Sequence, residues 1–219
     1  MAIRGVVFDM DGLMFNSEDV YWLVGCELLR TRGHEYTREL ANAMMGRPPQ
    51  AAFEVMIAWH KLDCSWEVLQ RETEEYFTRF MVGRIEPMPG LLDLLAALES
   101  AKIPKAIGTS SSRVLVDALL PLFDLQSRFE FILSSADIVH GKPHPEIYLK
   151  AVARLGLKAE EVLVLEDSEN GCRAAAAAGT VAVAVPGEHS RSQDFTMAAM
   201  RIDSLADPRL YETLGFAAK

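Results

Sequence analysis

Two aspartates one residue apart close a short apolar run, Gly5-Val6-Val7-Phe8 leading into Asp9-Met10-Asp11-Gly12. In an extended segment residues i and i+2 share a face, so both carboxylates can reach one reacting group. Three more polar clusters follow strand-like runs. Ser110, Ser111 and Ser112 come after the run Pro104 to Thr109, and Gly141-Lys142-Pro143 after Phe129 to Leu133. Glu166-Asp167-Ser168 comes directly after Val162 to Leu165. Carboxylates, hydroxyls with backbone amides, and an ammonium together suit a divalent cation and a phosphoryl group. Hard oxygen donors select Mg²⁺, which keeps several waters and takes only one or two carboxylates from a protein.

Each cluster has an ordinary explanation when taken singly. An Asp-x-Asp pair is commonly a surface turn, and Ser/Thr clusters mark turns and helix N-caps. A single lysine is usually solvated, and Glu166-Asp167-Ser168 could simply cap the helix that begins near Glu169. Their recurrence after four strand-like segments carries the chemical reading, because ligands of open α/β sheets sit beyond the carboxyl ends of the strands.

The elements that must position these groups are legible in the periodicity. Ile3 to Phe8 is too short for a helix and suits a buried strand. Leu91, Leu94, Leu95 and Leu98 form the stripe of an amphipathic helix. From there strands at 104–109, 129–133, 162–165 and 180–185 alternate with helices at 114–120, 145–155 and 169–178, the last closed by Gly179. This alternation predicts an α/β fold, a doubly wound parallel sheet covered on both faces. The block 16–83 differs: it has no strand-like run and holds all three tryptophans. Phe53, Met56 and Ile57 form one helical stripe; Trp66, Leu69, Tyr76, Phe77 and Phe80 form another. It reads as an all-helical domain inserted into a core of 1–15 and 84–219, with hinges at Asn16-Ser17 and at Gly83 to Pro89.

Composition narrows the partners. The 219 residues carry 31 acidic against 22 basic side chains, a formal charge of -9. Such a surface repels phosphate backbones and anionic lipid, which argues against nucleic-acid and membrane roles. Three scattered cysteines without a CxxC pair fit a reducing compartment, and the N-terminus lacks the apolar core of a secretion signal. The expectation is a cytoplasmic monomer acting on a small phosphorylated metabolite. The five histidines show no zinc-ligand spacing, although His140 and His144 flank Lys142 and could line an entrance.

These motifs resemble those of the haloacid dehalogenase superfamily: Asp9-Met10-Asp11-Gly12, Thr109-Ser110, Lys142 and Glu166-Asp167 fall in its order. The stretches Gly141 to Tyr148 and Leu165 to Gly171 resemble its phosphatase and β-phosphoglucomutase-like subgroup, in which a helical cap stands between the first two motifs. Met44-Met45-Gly46-Arg47 and the tail Val185 to Ser192 look most similar to pseudouridine monophosphate and glycerol phosphate phosphatases. The resemblance covers essentially the whole chain.

By that resemblance Asp9 is the expected nucleophile, forming an aspartyl-phosphate, and Asp11 the general acid and base. Mg²⁺ is expected on Asp9, the Asp11 carbonyl and Asp167. Thr109, Ser110 and Ser111 are expected to bind the phosphoryl oxygens, Lys142 to balance charge and Glu166 to orient Lys142 or metal-bound water. Arg47 is a candidate contact to substrate. Gly12 permits the tight turn after the first strand. One departure stands out: Asn16 replaces the aspartate common at this point of the family, a change expected to touch the hinge.

Three other functions stand beside this one. A β-phosphoglucomutase shares the core motifs. Those mutases carry a cap histidine where Tyr21 falls, and an arginine three residues after the glycine matching Gly46, where this chain has Pro49. Dehalogenases lack the second carboxylate, and Asp11 is present. A non-catalytic binding protein on the same fold would be expected to have lost Asp9, Asp11, Lys142 or Asp167, all of which are intact.

Overall fold

A computed structural model describes residues 2–44 and 47–216; Met45 and Gly46 of the Met44 to Arg47 stretch lie outside the described residues. Six parallel strands form the sheet: β1 (Gly5–Phe8), β2 (Lys105–Gly108), β3 (Ile132–Leu133), β4 (Val162–Glu166), β5 (Val181–Ala184) and β6 (Met200–Arg201). Their order is β3-β2-β1-β4-β5-β6. The chain runs outward from β1 to β3 and then returns to place β4 beside β1 on the other side. The β1–β4 boundary is therefore the topological switch point, where such sheets open a ligand crevice. Asp9 follows β1 there, and Asp167 follows β4.

Alternation along β1 explains why its run is continuously apolar. Val6 and Phe8 enter one buried cluster with Leu94, Leu98 and Leu115. Val7 enters the opposite cluster with Tyr148, Ala151 and Ala174. Both faces of the sheet are covered, so each strand residue is buried whichever way it points. Helices α5 (Leu91–Ser100) and α6 (Arg113–Leu119) supply the first face; α7 (Glu146–Leu155) and α8 (Glu169–Ala177) supply the second. The stripe Leu91, Leu94, Leu95 and Leu98 is wholly buried, and truncating one of these to alanine is expected to cost about 2–5 kcal/mol. Gly179 ends α8 with φ +76°, as its position predicts.

Among the described residues, four helices lie between β1 and α5: α1 (Ser17–Arg30), α2 (Arg38–Met44), α3 (Pro49–His60) and α4 (Trp66–Phe80). Helix α1 packs on α4, and α4 also touches α6. Of the two expected stripes, Phe53, Met56, Leu69 and Phe77 are buried, while Ile57, Trp66, Tyr76 and Phe80 stay partly exposed. Two chain segments connect these helices to the sheet, and they run side by side. The Met88 amide donates to the Met14 carbonyl at 2.8 Å. Asn16 clips the pair together: its Oδ1 accepts the Glu86 amide at 2.7 Å and its Nδ2 donates to the Arg84 carbonyl at 3.2 Å.

The structure departs from the periodicity reading in the second half. The third strand is limited to Ile132–Leu133. Strand β6 pairs only through Val183 and Ala184, and with two incompletely buried residues it lacks the apolar run that marks an interior strand. The short α9 (Pro208–Thr213) lies beyond the expected elements; the Asp207 side chain accepts the Arg209 amide at its start and Pro208 takes the first helical position.

Candidate active site

Asp9, Asp11, Lys142 and Asp167 converge on one cavity of about 560 Å³, together with Thr109, Ser110 and Ser111. Glu166 lies beneath them, wholly buried. Lys142 is the central cation. Its Nζ donates to Asp9 Oδ1 at 2.5 Å, to Glu166 Oε1 at 2.6 Å and to the Gly108 carbonyl at 3.0 Å. Burial alone would push the lysine toward neutrality, but the carboxylates of Asp9 and Glu166 overcome it and hold the ammonium charged. The solvated-lysine reading of Lys142 therefore fails.

Glu166 is held from both ends. The Tyr148 hydroxyl donates to Oε1 at 2.5 Å, and the Ser168 amide and hydroxyl donate to Oε2 at 3.3 and 3.1 Å. Ser168 also accepts the Gly171 amide at 3.1 Å and so caps α8. The ordinary reading of this cluster as a helix cap thus holds for Ser168, while Asp167 lines the cavity and Glu166 accepts from Lys142.

Asp11 is fastened by the second strand's loop. Ser111 Oγ donates to Asp11 Oδ2 at 2.5 Å, and Thr109 Oγ1 lies 3.4 Å from the same oxygen. Asp11 Oδ1 is buried with no hydrogen-bond partner among the described residues. Burial raises the Asp11 carboxyl above its usual range, and the Ser111 hydrogen bond only partly opposes this. A carboxyl with an elevated pKa is suited to carrying a proton. Gly12 turns the chain with φ +74°, and a Cβ there would stand 2.4 Å from Asp167 Oδ2. That position therefore needs glycine both for its backbone and for Asp167.

Asp9, Glu166 and Asp167 place carboxylate oxygens within 4.8 Å of one another, all buried. Burial drives the Asp9 and Asp167 carboxyls well above their usual range; neighbouring carboxylates add to it and Lys142 opposes it. Several buried carboxylates around one ammonium form a donor set short of positive charge. An all-oxygen donor set of this kind fits a hard divalent cation such as Mg²⁺.

The other wall of the cavity comes from α1, α2, α3, α4 and the segment joining α1 to α2, including Tyr21, Trp22, Tyr36, Arg38 and Phe53. Arg47 also lines it, with its Nε donating to the Ala43 carbonyl at 2.7 Å. Glu18, which the spacing did not single out, faces the same space; burial and the nearby Asp11 charge raise its pKa to about 7. His189 reaches across from the segment after β5 to Asp19 on α1, 3.1 Å away. His140 and His144 pair with each other at 4.7 Å, are exposed and do not line the cavity, so the entrance role considered for them is not met. Tyr148 and Gly171 lie within the motif stretches, where sequence alone assigns them no role. Their contribution depends on contacts made only in the folded core.

Residues 6–185 match the family described as haloacid dehalogenase-like hydrolase, and the chain belongs to that family. Among its relatives is a Drosophila melanogaster protein named "Probable pseudouridine-5'-phosphatase", 33% identical over 207 residues, covering 92% of this chain and 89% of its own. Fructose-1-phosphate phosphatase YqaB of Escherichia coli (strain K12) is 30% identical and covers 83% of this chain and 95% of its own. In structure the chain resembles CbbY from Rhodobacter sphaeroides in complex with phosphate. That match has a TM-score of 0.85 and 28% identity, over 94% of this chain and 96% of CbbY. No helix among the described residues is long and apolar enough to cross a membrane.

Proposed function

We propose that this chain is an Mg²⁺-dependent phosphatase of small phosphomonoesters acting through an aspartyl-phosphate. The observation that carries this reading is the placement of Asp9 at the end of β1, 2.5 Å from Lys142, with Asp11 and Asp167 on the same cavity. The chain is a phosphoric monoester hydrolase by its family and by its relatives, two of which are named phosphatases.

Asp9 attacks phosphorus while Asp11 gives a proton to the leaving oxygen, so the bond to the alcohol breaks as the bond to Asp9 forms. Water then attacks the phosphoryl group, Asp11 takes its proton, and the bond from phosphorus to Asp9 breaks, freeing the Asp9 carboxylate and inorganic phosphate. Lys142 holds the Asp9 carboxylate in place and offsets the charge of the phosphoryl group. Ser110 and Thr109 face the cavity where phosphoryl oxygens would lie. Asp9, Asp167 and the Asp11 carbonyl would hold Mg²⁺, which supplies charge neutralisation between carboxylate and phosphate.

Residues 16–83 act as a cap whose inner wall reads the alcohol. Trp22, Tyr36 and Phe53 give it apolar faces; Arg38, Arg47 and Glu18 give it polar ones. That mixture suits a sugar, polyol or nucleoside monophosphate, in keeping with the pseudouridine and fructose phosphatases among the relatives.

Phosphate release from a panel of such esters, with Mg²⁺ and with EDTA, tests this reading. Release that requires Mg²⁺ is expected. Conversion of β-glucose 1-phosphate to the 6-phosphate without release would instead assign a β-phosphoglucomutase. Binding of esters without either reaction would assign a non-catalytic protein.

A further inference from the structure

Lys142 and Glu166 form a saturated pair. An ammonium has three protons to give, and a carboxylate has about four lone-pair sites to receive them. The three protons of Lys142 go to Asp9 Oδ1 at 2.5 Å, Glu166 Oε1 at 2.6 Å and the Gly108 carbonyl at 3.0 Å. The sites of Glu166 are filled by Lys142 and the Tyr148 hydroxyl on Oε1, and by the Ser168 amide and hydroxyl on Oε2. A change in the strength of any one of these contacts is therefore felt by the others.

Tyr148 holds a particular place in this set, because its phenol and Lys142 meet the same oxygen. The hydroxyl donates to Glu166 Oε1 at 2.5 Å, so the positive end of the O–H dipole faces the oxygen that also attracts Nζ. An oxygen already bonded to one strong donor attracts a second less strongly, so the phenol weakens the pull of Glu166 on Lys142. Without it, a buried carboxylate short of one donor would draw Nζ toward Oε1 and away from Asp9. We infer that Tyr148 is a positioning residue: its hydroxyl keeps Lys142 shared between Glu166 and Asp9. The ring is held independently. It is wholly buried, sits in the cluster that contains Val7 and Ala151, and lies 5.1 Å from Nζ. Gly108 leaves it room, since a Cβ there would stand 3.4 Å from Tyr148 Cε1. Phenylalanine keeps all of these contacts, so Tyr148→Phe removes the hydroxyl alone. The consequence for turnover rests on Asp9 being the nucleophile, as proposed above.

Crystal structures of wild type and Tyr148→Phe, grown under the same conditions, read the position of Lys142 directly. In the variant Nζ is expected to stay on Glu166 and to lie beyond about 3.5 Å from Asp9 Oδ1. A lysine still within hydrogen-bond distance of Asp9 would overturn the inference. Turnover gives a second reading, with Mg²⁺ and whichever ester of the panel wild type hydrolyses. Tyr148→Phe is expected to lower kcat about tenfold and to leave KM within about twofold, because the hydroxyl acts on the nucleophile's neighbour and not on substrate. A purely structural hydroxyl would lower the unfolding temperature and leave kcat per folded molecule unchanged; a kcat within about twofold of wild type would therefore overturn the inference. Glu166→Gln removes the charge against which the phenol works, so adding Tyr148→Phe to it should cause no further loss. Losses that multiply in the double variant would also overturn it. The two levels of the argument separate cleanly. If wild type releases phosphate from no ester, the phosphatase reading falls and the position of Lys142 in Tyr148→Phe still decides the role of Tyr148. If Asp9→Asn is inactive while Tyr148→Phe turns over like wild type, only the role of Tyr148 falls.

Discussion

The carboxyl group of Glu166 occupies the space in which a side chain on residue 171 would begin: a Cβ there would lie 1.9 Å from Glu166 Cδ and Oε1. Gly171 is in the first turn of α8, where alanine would ordinarily favour the helix by about 1 kcal/mol over glycine. Here the sign is expected to reverse. Gly171→Ala must displace the buried carboxylate that holds Lys142, at an overpacking cost of about 1–3 kcal/mol. Displacement of Lys142 from Asp9 should lower kcat by on the order of 10²-fold, since ångström-scale misplacement carries that penalty. Thermal unfolding and steady-state kinetics on this one variant check both.

Glu18 gives the molecule a pH dependence with a definite sign. Its folded pKa is raised to about 7 by burial and by the Asp11 charge, with His189 opposing. An unfolded glutamate titrates near about 4.3, so between these values the folded state binds more protons and stability falls as pH rises. Replacing the carboxylate by an amide removes this loss. Glu18→Gln should therefore leave stability near wild type at about pH 4 and raise it at about pH 8, by no more than about 4 kcal/mol. Urea unfolding of both proteins across that range measures the difference. A gain of the same size at both ends would contradict the assignment.

Asn16 joins the two connecting segments, and its amide is matched to the groups it meets. Oδ1 takes the Glu86 amide at 2.7 Å while Nδ2 gives to the Arg84 carbonyl at 3.2 Å. Asn16→Asp keeps the first bond and sets a carboxylate oxygen against a carbonyl in place of the second. A destabilisation of about 1 kcal/mol is expected, the scale of one net hydrogen bond. Differential scanning calorimetry should show Asn16→Asp less stable than wild type; equal or greater stability would show that the clip is not made in solution.

What could be read from the chain alone follows a physical division. Asp9, Asp11, Lys142 and Asp167 each follow a strand, and a strand's apolar run is a local pattern, so their convergence could be anticipated from order and spacing. Tyr148 and Gly171 act on Glu166 through contacts that no periodicity encodes: Tyr148 reads as one more buried helix residue, and Gly171 as a poor helix former. Glu18 resembles any acidic residue in a helix's first turn until α1 is seen to face Asp11. Strand β6 carries too little apolar pattern to announce itself. The sequence places Asn16 at the start of the inserted block, but the donor and acceptor matched to its amide are brought together only by the fold.

Removal of the nucleophile tests the central claim most directly. Phosphate release should be followed in a single turnover with enzyme in excess, comparing wild type with Asp9→Asn, which keeps the size of the side chain and removes its charge. The geometry around Lys142 predicts a fall of at least about 10³-fold, as for loss of a covalent nucleophile. A rate within about tenfold of wild type would contradict it, because phosphate would then be leaving without a bond to Asp9.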